Sequence, residues 1–507
     1  MGEPGKIRRT MRDSIVEGSF ANIMEYAGRA FLLPMGVALG ATISQLSVLT
    51  SLPYLLTGLG GEVTASFRNL VKNRATVLFS GAALQAAAWL ILSVLSYSAA
   101  SSASREVAVL LLILVASVIY LLDAVLQPIW FSLFGDVVPV GQRSRWLGRR
   151  NQIMFMAALI CLGASGVILN LFPPAQVLYG FSILFLIASL ARFASAFLLK
   201  GHYEPRKRHS VPGKDGGTVL PGFLAVTFIL NFVVYFASPF FNIHMLENLN
   251  FDYLSYSLVL AVQILFAVLA YPGWGIVISK YGGRQVLIAN GFLSIFIPLF
   301  WLYINTPFEA LFAEAFSGLV WSGINLAAFD YLFEISKSGK EKRFAHRNLA
   351  FNAGIFFGTL SGGAALAFLL SSGFGYIDAF KVIFVLSALG RLALFSVAGR
   401  FLPSLANVER IETKSLIMRI ITVYPVKGMA YDFNGMLRFM GQEARRSRKM
   451  LEGLVPLTKE LSILVLAPVN ATNYVMDSLG GEVGTIKESA ARLSLGVLRA
   501  INPGRLK

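Results

Sequence analysis

Residues 107–122 read VAVLLLILVASVIYLL and contain no charged side chain. Similar runs recur at 181–199, broken only by Arg192, and at 223–240. A helix needs about 20 mostly apolar residues to cross a hydrocarbon core that is about 30 Å thick. Repeated runs of this length predict an all-α polytopic membrane protein, not a soluble protein with one signal peptide or anchor.

The composition agrees with a lipid environment. The 507 residues are 56% hydrophobic and 14% charged, whereas soluble domains carry about 25% charged residues. The formal net charge is +17. Because cytoplasmic loops of membrane proteins are rich in Lys and Arg, this excess does not indicate a nucleic-acid partner. The single cysteine, Cys161, excludes a disulfide within the chain and argues against a cysteine-based metal site.

The apolar runs predict about twelve spans. They cover residues 20–39, 43–64, 75–97, 107–136, 146–171, 176–199, 222–245, 253–278, 285–304, 308–334, 346–370 and 376–401. Loops rich in Lys and Arg alternate with loops that carry almost none. Since positive loops stay in the cytoplasm, we expect both termini to be cytoplasmic in a multi-pass protein of the plasma membrane.

The two halves of the chain resemble each other. The matching positions are 39–47 with 249–257, Arg74 with Arg284, Asn151 with Asn348, and Arg192 with Arg391. Matches in the same order predict two parallel six-helix repeats. The predicted domains are a six-helix bundle with a basic cytoplasmic arm at 1–200, a cytoplasmic linker at 201–221, a second six-helix bundle at 222–403, and a cytoplasmic tail of amphipathic helices at 404–507.

This arrangement resembles the major facilitator superfamily of transporters over roughly residues 15–402. The family's loop motif reads Gly-x-x-x-Asp-Arg-x-Gly-x-Arg. In the second half Gly275, Gly282 and Arg284 match it, Lys280 stands for the first arginine, and serine replaces the aspartate. In the first half only Arg74 matches well. The resemblance implies two halves that rock against each other, with these residues serving the conformational change.

Ionisable residues inside spans are informative, because a charge in hydrocarbon is costly unless it meets water or a partner. The resemblance implies that helices 1, 4, 7 and 10 line a central cavity. Helix 1 carries Glu25 and Arg29 on one face, and both a structural ion pair and a role in binding substrate or protons remain open. Helix 4 carries Asp123 and Gln127. Asp123 could bind a cation or amine, pair with Arg29, or titrate.

The second half offers two polar stripes. Helix 7 carries Asn231 and Tyr235, and helix 10 carries Glu314, Trp321 and Asn325, at helical spacing. Such stripes predict faces toward an aqueous cavity, although hydrogen bonds between helices would explain them equally well. Glu314 is expected near the outer surface, which makes it the weaker of these candidates.

Two further expectations concern structure. Arg192 and Arg391 lie near the ends of their helices and are expected to snorkel or to pair with loop acids. Helix 11 carries a stripe of Gly354, Gly358 and Gly362. Such stripes allow close packing, and the resemblance implies that this one lies at the seam where the halves move.

No phosphate-binding glycine loop, zinc-protease motif or nucleophile elbow occurs in the sequence, so we predict neither an enzyme nor an ATP-driven pump. The sequence favours a secondary active transporter of a small solute, with coupling to protons or another ion left open. We expect a monomer in contact with lipids, with no cofactor and no bound metal. The alternative hypothesis is a membrane sensor or scaffold in which the tail at 404–507 signals.

Overall fold

A computed structural model describes residues 3–67, 73–101, 105–139, 143–204, 220–335 and 340–403. Most of the predicted linker and the whole predicted tail at 404–507 lie outside these residues. The helices are α1 (Glu3–Ala27), α2 (Leu32–Ala38), α3 (Ile43–Phe67), α4 (Arg74–Ser101), α5 (Arg105–Val137), α6 (Arg143–Asn170), α7 (Val177–Lys200), α8 (Leu220–Tyr235), α9 (Ser238–Ile243), α10 (Tyr253–Tyr281), α11 (Gly283–Leu293), α12 (Phe296–Phe300), α13 (Pro307–Ile335), α14 (Lys340–Ser371) and α15 (Tyr376–Phe401).

Every regular element in these ranges is helical, which confirms the all-α prediction. Ten segments of the described chain are long and apolar enough to cross a membrane. Their outer faces are apolar too, since Leu84, Val94 and Leu110 are each at least 60% exposed. Such a surface suits lipid and not water, so the chain is a multi-pass membrane protein. Residues 3–38 and 43–67 are not among the ten segments, and the count of twelve stays a prediction.

Contacts near the helix termini define two ends of the molecule. The basic end is the one where α3, α5, α7, α10, α13 and α15 finish. There Arg74, the first residue of α4, binds Asp136 near the end of α5 at 2.7 Å. We call the opposite one the short-loop end. There Asn170, the last residue of α6, donates to Asp252 just before α10 at 2.6 Å.

The first helix begins at Glu3, so the predicted span 20–39 covers only its second part. The first part packs against the bundle instead of standing free as an arm. Trp146 of α6 donates its indole N–H to the carbonyl of Met11 at 2.9 Å, and Glu17 is 3% exposed. The hydropathy pattern misses this part because its buried face is polar.

A buried histidine lies beside this contact. His202, just after α7, is 6% exposed, and its ring meets Phe134 edge-on with 5.2 Å between the centroids. Burial lowers the pKa of His202, the nearby Glu17 and Asp13 oppose this shift, and Arg150 adds to it. The folded protein therefore favours the neutral imidazole.

We expect the purified protein to melt at a lower temperature as the pH falls below the ordinary histidine pKa of 6.5. Below this pH the unfolded chain binds a proton at His202 more readily than the folded protein does, so acid favours unfolding. The stability that the neutral, buried His202 contributes is therefore fully present only above this pH. His202→Phe should flatten the pH dependence. His346→Phe, on α14, is the control. Equal slopes for His202→Phe and the wild type would contradict this role.

The first helix of each half is broken. A 3-10 turn at Arg29–Phe31 separates α1 from α2, and α8 ends at Tyr235 just before α9 begins. A Cβ atom on Gly28 would lie 2.6 Å from the Trp89 ring, so the chain passes this tryptophan only with a glycine at that position. Broken helices in membrane proteins line cavities, where freed backbone groups find partners.

The halves meet along α3 with α14 and along α6 with α10. A Cβ atom on Gly58 of α3 would lie 3.1 Å from that of Asn352 in α14. Between α6 and α10, a Cβ atom on Gly166 would lie 2.9 Å from both the Ser257 Cβ atom and the Leu254 Cα atom. This contact and the bond from Asn170 both lie at the short-loop end, where the halves are therefore tightly packed.

The expectation for the glycine stripe of α14 is wrong. A Cβ atom on any of its three glycines would lie 2.0–2.5 Å from a backbone carbonyl oxygen of α8 or of Phe236, which directly follows it. The pairs are Gly354 with Phe228, Gly358 with Phe232, and Gly362 with Phe236. The stripe thus packs α14 against α8 inside the second half and does not lie at the seam. Close backbone approach is a common use of small residues wherever two helices meet.

Candidate functional site

The break in the first helix holds an ionic cluster. Arg29 forms an ion pair with Glu25 at 3.1 Å and a second, shorter one with Asp123 of α5. Its guanidinium also lies over the Tyr120 ring, 4.4 Å from the centroid. The Arg29 side chain is 13% exposed, against 38% for Glu25 and 26% for Asp123. The structure thus brings these three predicted residues together and leaves the carboxylates partly open to solvent.

Gln127, the fourth residue predicted for this half, does not join the cluster. It is exposed, and none of the described hydrogen bonds reaches it. Its place is taken by Gln85 of α4, which is fully buried. Gln85 donates to an Asp123 carboxylate oxygen at 2.6 Å.

A chain of buried polar groups leads from this cluster toward the basic end. Arg192 donates to the Gln85 side-chain oxygen at 2.7 Å and to Ser195 at 3.1 Å. Ser195 donates to one oxygen of Glu17 at 3.0 Å, and Arg150 donates to the other at 3.3 Å. Arg192 is 6% exposed, so the expectation that it snorkels is wrong. Polar partners inside the bundle hold it there.

Three tyrosines connect the cluster to the second half. The Tyr54 ring lies 5.4 Å from that of Tyr120 and 6.0 Å from that of Tyr235. Since Tyr120 also stacks with Arg29, one continuous set of contacts runs from the ionic cluster across the seam to the end of α8.

The second half contains a cavity of about 380 Å³. It lies among α8, α9, α10 and α13, with single residues from α12, α14 and α15. All five residues predicted for this half line it, namely Asn231, Tyr235, Glu314, Trp321 and Asn325. Clefts of this size that combine apolar walls with a few polar groups are typical of small-molecule sites.

Two charged residues in the cavity wall are buried. Glu314 is 7% exposed, and one of its carboxylate oxygens is buried without a hydrogen-bond partner. Arg391 is 1% exposed and does not snorkel. It donates to the carbonyl of Ser294 at 2.7 Å. Pro298, four residues later, has no N–H to offer this carbonyl, which accepts a 3.3 Å bond from the Ile297 N–H and the shorter one from Arg391.

The predicted motif residues cap helices at the basic end. Arg284 donates to the carbonyls of Gly399 and Leu402 at the end of α15, and favourable interaction of a cation with a helix C-terminus is expected. Gly282 ends α10 with a φ of +80°, which suits glycine. A Cβ atom on Gly275 would meet nothing within 4 Å, and Lys280 lies over the Tyr281 ring.

In the first half, Arg74 is 1% exposed and binds both Asp136 and Glu204, the latter at 2.6 Å. It ties α4, α5 and the chain after α7 together. None of these capping residues touches the cluster or the cavity, so they belong to the frame around the site.

Sequence reasoning missed Glu17, Tyr54, Gln85, Gln263 and the depth of Arg391. Gln263 of α10 lines the cavity and donates to Ser317 at 3.0 Å. Gln85 and Gln263 are amides inside long apolar runs, a signal as strong as the polar stripes that were used. Glu17 and Tyr54 carry no such signal, because the first precedes the apolar run of helix 1 and the second is one aromatic residue among many.

Neither a comparison with protein-family models nor one with curated proteins finds a match. Comparison with solved structures does. A bacterial homologue of the human lysosomal transporter Spinster, inward-facing and occupied, aligns with a TM-score of 0.57 and 15% identity over 78% of this chain and 98% of that one. A D-xylose–proton symporter aligns with a TM-score of 0.58 and 12% identity over 78% of this chain and 97% of that one.

A third solved structure, a POT family transporter in complex with 5-aminolevulinic acid, aligns with a TM-score of 0.59 and 12% identity, again over 78% of this chain and 97% of that one. These proteins are transporters and not enzymes, and each alignment covers nearly all of the solved chain. The chain therefore has the fold of the major facilitator superfamily.

Proposed function

We propose that this protein is a secondary active transporter that moves a small solute across the plasma membrane by alternating access, with both termini in the cytoplasm. The observation that carries the proposal is the position of the polar groups. A charged cluster and a cavity lie at the broken first helices of the two halves, and tyrosines from both halves connect them. Sites at such breaks, between repeats, are where transporters bind solutes.

In this conformation the halves are packed at the short-loop end, which on this topology faces outward. The solute would enter from the basic, cytoplasmic end and reach Tyr235 and the cavity. Rocking would then separate Gly166 from Ser257 and open the outer side. The Spinster homologue was captured inward-facing and occupied, which supports this assignment of the state.

The Arg29 cluster suits coupling to an ion. Arg29 has two carboxylates, Glu25 and Asp123, and needs only one to balance its charge. A proton or another cation at the second carboxylate would neutralise the cluster. This would link the charge of the cluster to the rocking of the two halves, through the contacts that Tyr54 makes across the seam. Proton coupling is therefore the form of secondary transport that we favour.

A disulfide across the outer seam tests alternating access. In a Cys161→Ser background, Gly166→Cys with Ser257→Cys should cross-link. The two Cβ atoms would start 2.9 Å apart, and a small separation of α6 from α10 brings them to the about 3.5–4.5 Å that a disulfide needs. The link should abolish counterflow of a solute found by screening, and reduction should restore it. A maleimide reporter at Ala267→Cys, in the cavity wall, should then react from the cytoplasmic side alone.

Gly390→Cys with Val233→Cys is the matched control, because it joins α15 to α8 inside one half, with a Cβ separation of 3.1 Å. It should cross-link without stopping counterflow. Full transport by the oxidised Gly166/Ser257 pair, or unchanged labelling from both sides, would rule out a rocking mechanism about this seam.

A further inference from the structure

The cavity of the second half carries two buried charges that the fold leaves without ionic partners. Glu314 and Arg391 are 7% and 1% exposed. In the part of the chain that the structure describes, neither forms an ion pair, and Glu314 Oε2 and Arg391 Nε have no hydrogen-bond partner. Both side chains line the same space of about 380 Å³.

Such an arrangement is costly for the fold. A buried charge without a partner is destabilising by several kcal/mol, and ionisable groups within membranes are usually retained for function. Here the two charges have opposite sign, so the wall of the cavity is neutral overall but strongly dipolar. A solute with complementary charges would satisfy both groups at once.

The two charges lie at different depths. Glu314 is the eighth residue of α13 and Arg391 the sixteenth of α15, and both helices begin at the short-loop end. At about 1.5 Å per residue, their backbones differ by about 12 Å in depth. This separation explains why the two side chains do not pair with each other. A solute that meets both must be elongated along the membrane normal.

Aromatic side chains line the rest of this path. Tyr235, Tyr271 and Trp321 border the cavity together with Phe241 and Phe351. Aromatic faces pack well against apolar bodies and attract ammonium groups. The wall therefore combines a carboxylate toward the short-loop end with a guanidinium toward the basic end and with aromatic rings in the same cavity. This suits a solute with an ammonium group at the first end, an acidic group at the second and an apolar body between them.

On the premise that the protein is a solute transporter, we infer that its solute is an elongated zwitterion, whose ammonium group binds Glu314 and whose acidic group binds Arg391. The ionic cluster of the first half is left free for the coupling ion. Glu314 and Arg391 are then the residues that determine the class of solute.

The test uses the purified full-length protein and three related probes: 4-(aminomethyl)benzoic acid, its methyl ester and its N-acetyl derivative, with 6-aminohexanoic acid as a non-aromatic zwitterion. The zwitterions should raise the melting temperature, because a ligand stabilises the state that it binds. The ester and the N-acetyl derivative, which each lack one charge, should bind at least tenfold more weakly.

Variants assign the two charges. Glu314→Gln should lose at least tenfold in affinity for the zwitterions, while its affinity for the N-acetyl derivative stays as weak as in the wild type. Arg391→Gln should also lose at least tenfold in affinity for the zwitterions, while its affinity for the methyl ester, which lacks the acidic group, stays as weak as in the wild type. The controls are Glu309→Gln and Arg400→Gln, exposed residues of the same helices, which should bind as the wild type does. The melting temperature without probe shows whether each variant is folded.

Equal binding of the ester or the N-acetyl derivative would overturn the inference, and so would the absence of any shift with both zwitterions. Counterflow in proteoliposomes separates this from the proposed function. Zwitterions that bind but are not transported would leave the class standing and remove the transport function. A different solute that is transported without competition from zwitterions would support the transport function and overturn the assignment of a zwitterion as the solute.

Discussion

Arg29→Met should reduce solute transport at least tenfold and destabilise the protein by about 2–4 kcal/mol. Arg29 is the only described cation paired with Glu25 and Asp123, and removing one partner of a buried pair leaves the other charge uncompensated. This loss is somewhat smaller than the about 3–5 kcal/mol of a fully buried pair, because both carboxylates keep some access to solvent. Thermal melting and counterflow measure the two effects separately.

The double variant Arg29→Met/Asp123→Asn decides between the two roles that the sequence leaves open. Neutralising Asp123 as well should recover part of the stability, because the only carboxylate of the cluster then left without its cation is Glu25, the more exposed of the two at 38%. If the cluster serves transport, counterflow should stay low in the double variant. Recovery of both stability and transport would make the cluster a purely structural ion pair.

Arg9→Met provides the control. Arg9 lies on the same helix and also pairs four residues away, with Asp13 at 3.4 Å, but its side chain is 64% exposed. Exposed pairs contribute about 0–1 kcal/mol, so this variant should melt and transport almost as the wild type does. A loss comparable to that of Arg29→Met would indicate that charge on α1, and not the cluster, is what matters.

The sequence predicts which residues the structure brings together in the candidate site better than it predicts how they are held. Hydropathy and helical spacing identify Asp123, Glu25, Arg29 and the polar stripe with Glu314, because charges in apolar runs stand out. The spacing does not reveal that Gln85 holds Asp123, because a helical pattern gives the direction of a side chain from its own axis and not the neighbour that it meets.

The helix breaks were also beyond the sequence pattern. Gly28 is one of 46 glycines, and the sequence does not show that the Trp89 ring packs against it beside the break. The predicted span 376–401 ends where α15 does, ten residues beyond Arg391, so the expectation that Arg391 snorkels was wrong about its surroundings and not about the helix. The burial of Arg391 depends on the carbonyl of Ser294, which a proline elsewhere in the chain leaves without its usual donor.

Gly362→Ala should destabilise the protein by about 1–3 kcal/mol, the usual cost of overpacking, and should also weaken solute binding. The added Cβ atom would lie 2.0 Å from the carbonyl oxygen of Phe236. This obstacle is backbone, which cannot rotate away as a side chain does. Phe236 lies at the break between α8 and α9, so relief of the clash must move Tyr235 and Ser238, which line the cavity.

Gly163→Ala is the matched control for this substitution, because it adds the same methyl group in the middle of α6, where nothing lies within 4 Å. There the change should be neutral or stabilising by up to about 1 kcal/mol, since alanine favours the helix over glycine. A Gly362→Ala protein that melts like the wild type would show that α8 yields without cost at its break. The break would then be a soft hinge of the second half and not a rigid wall of its cavity.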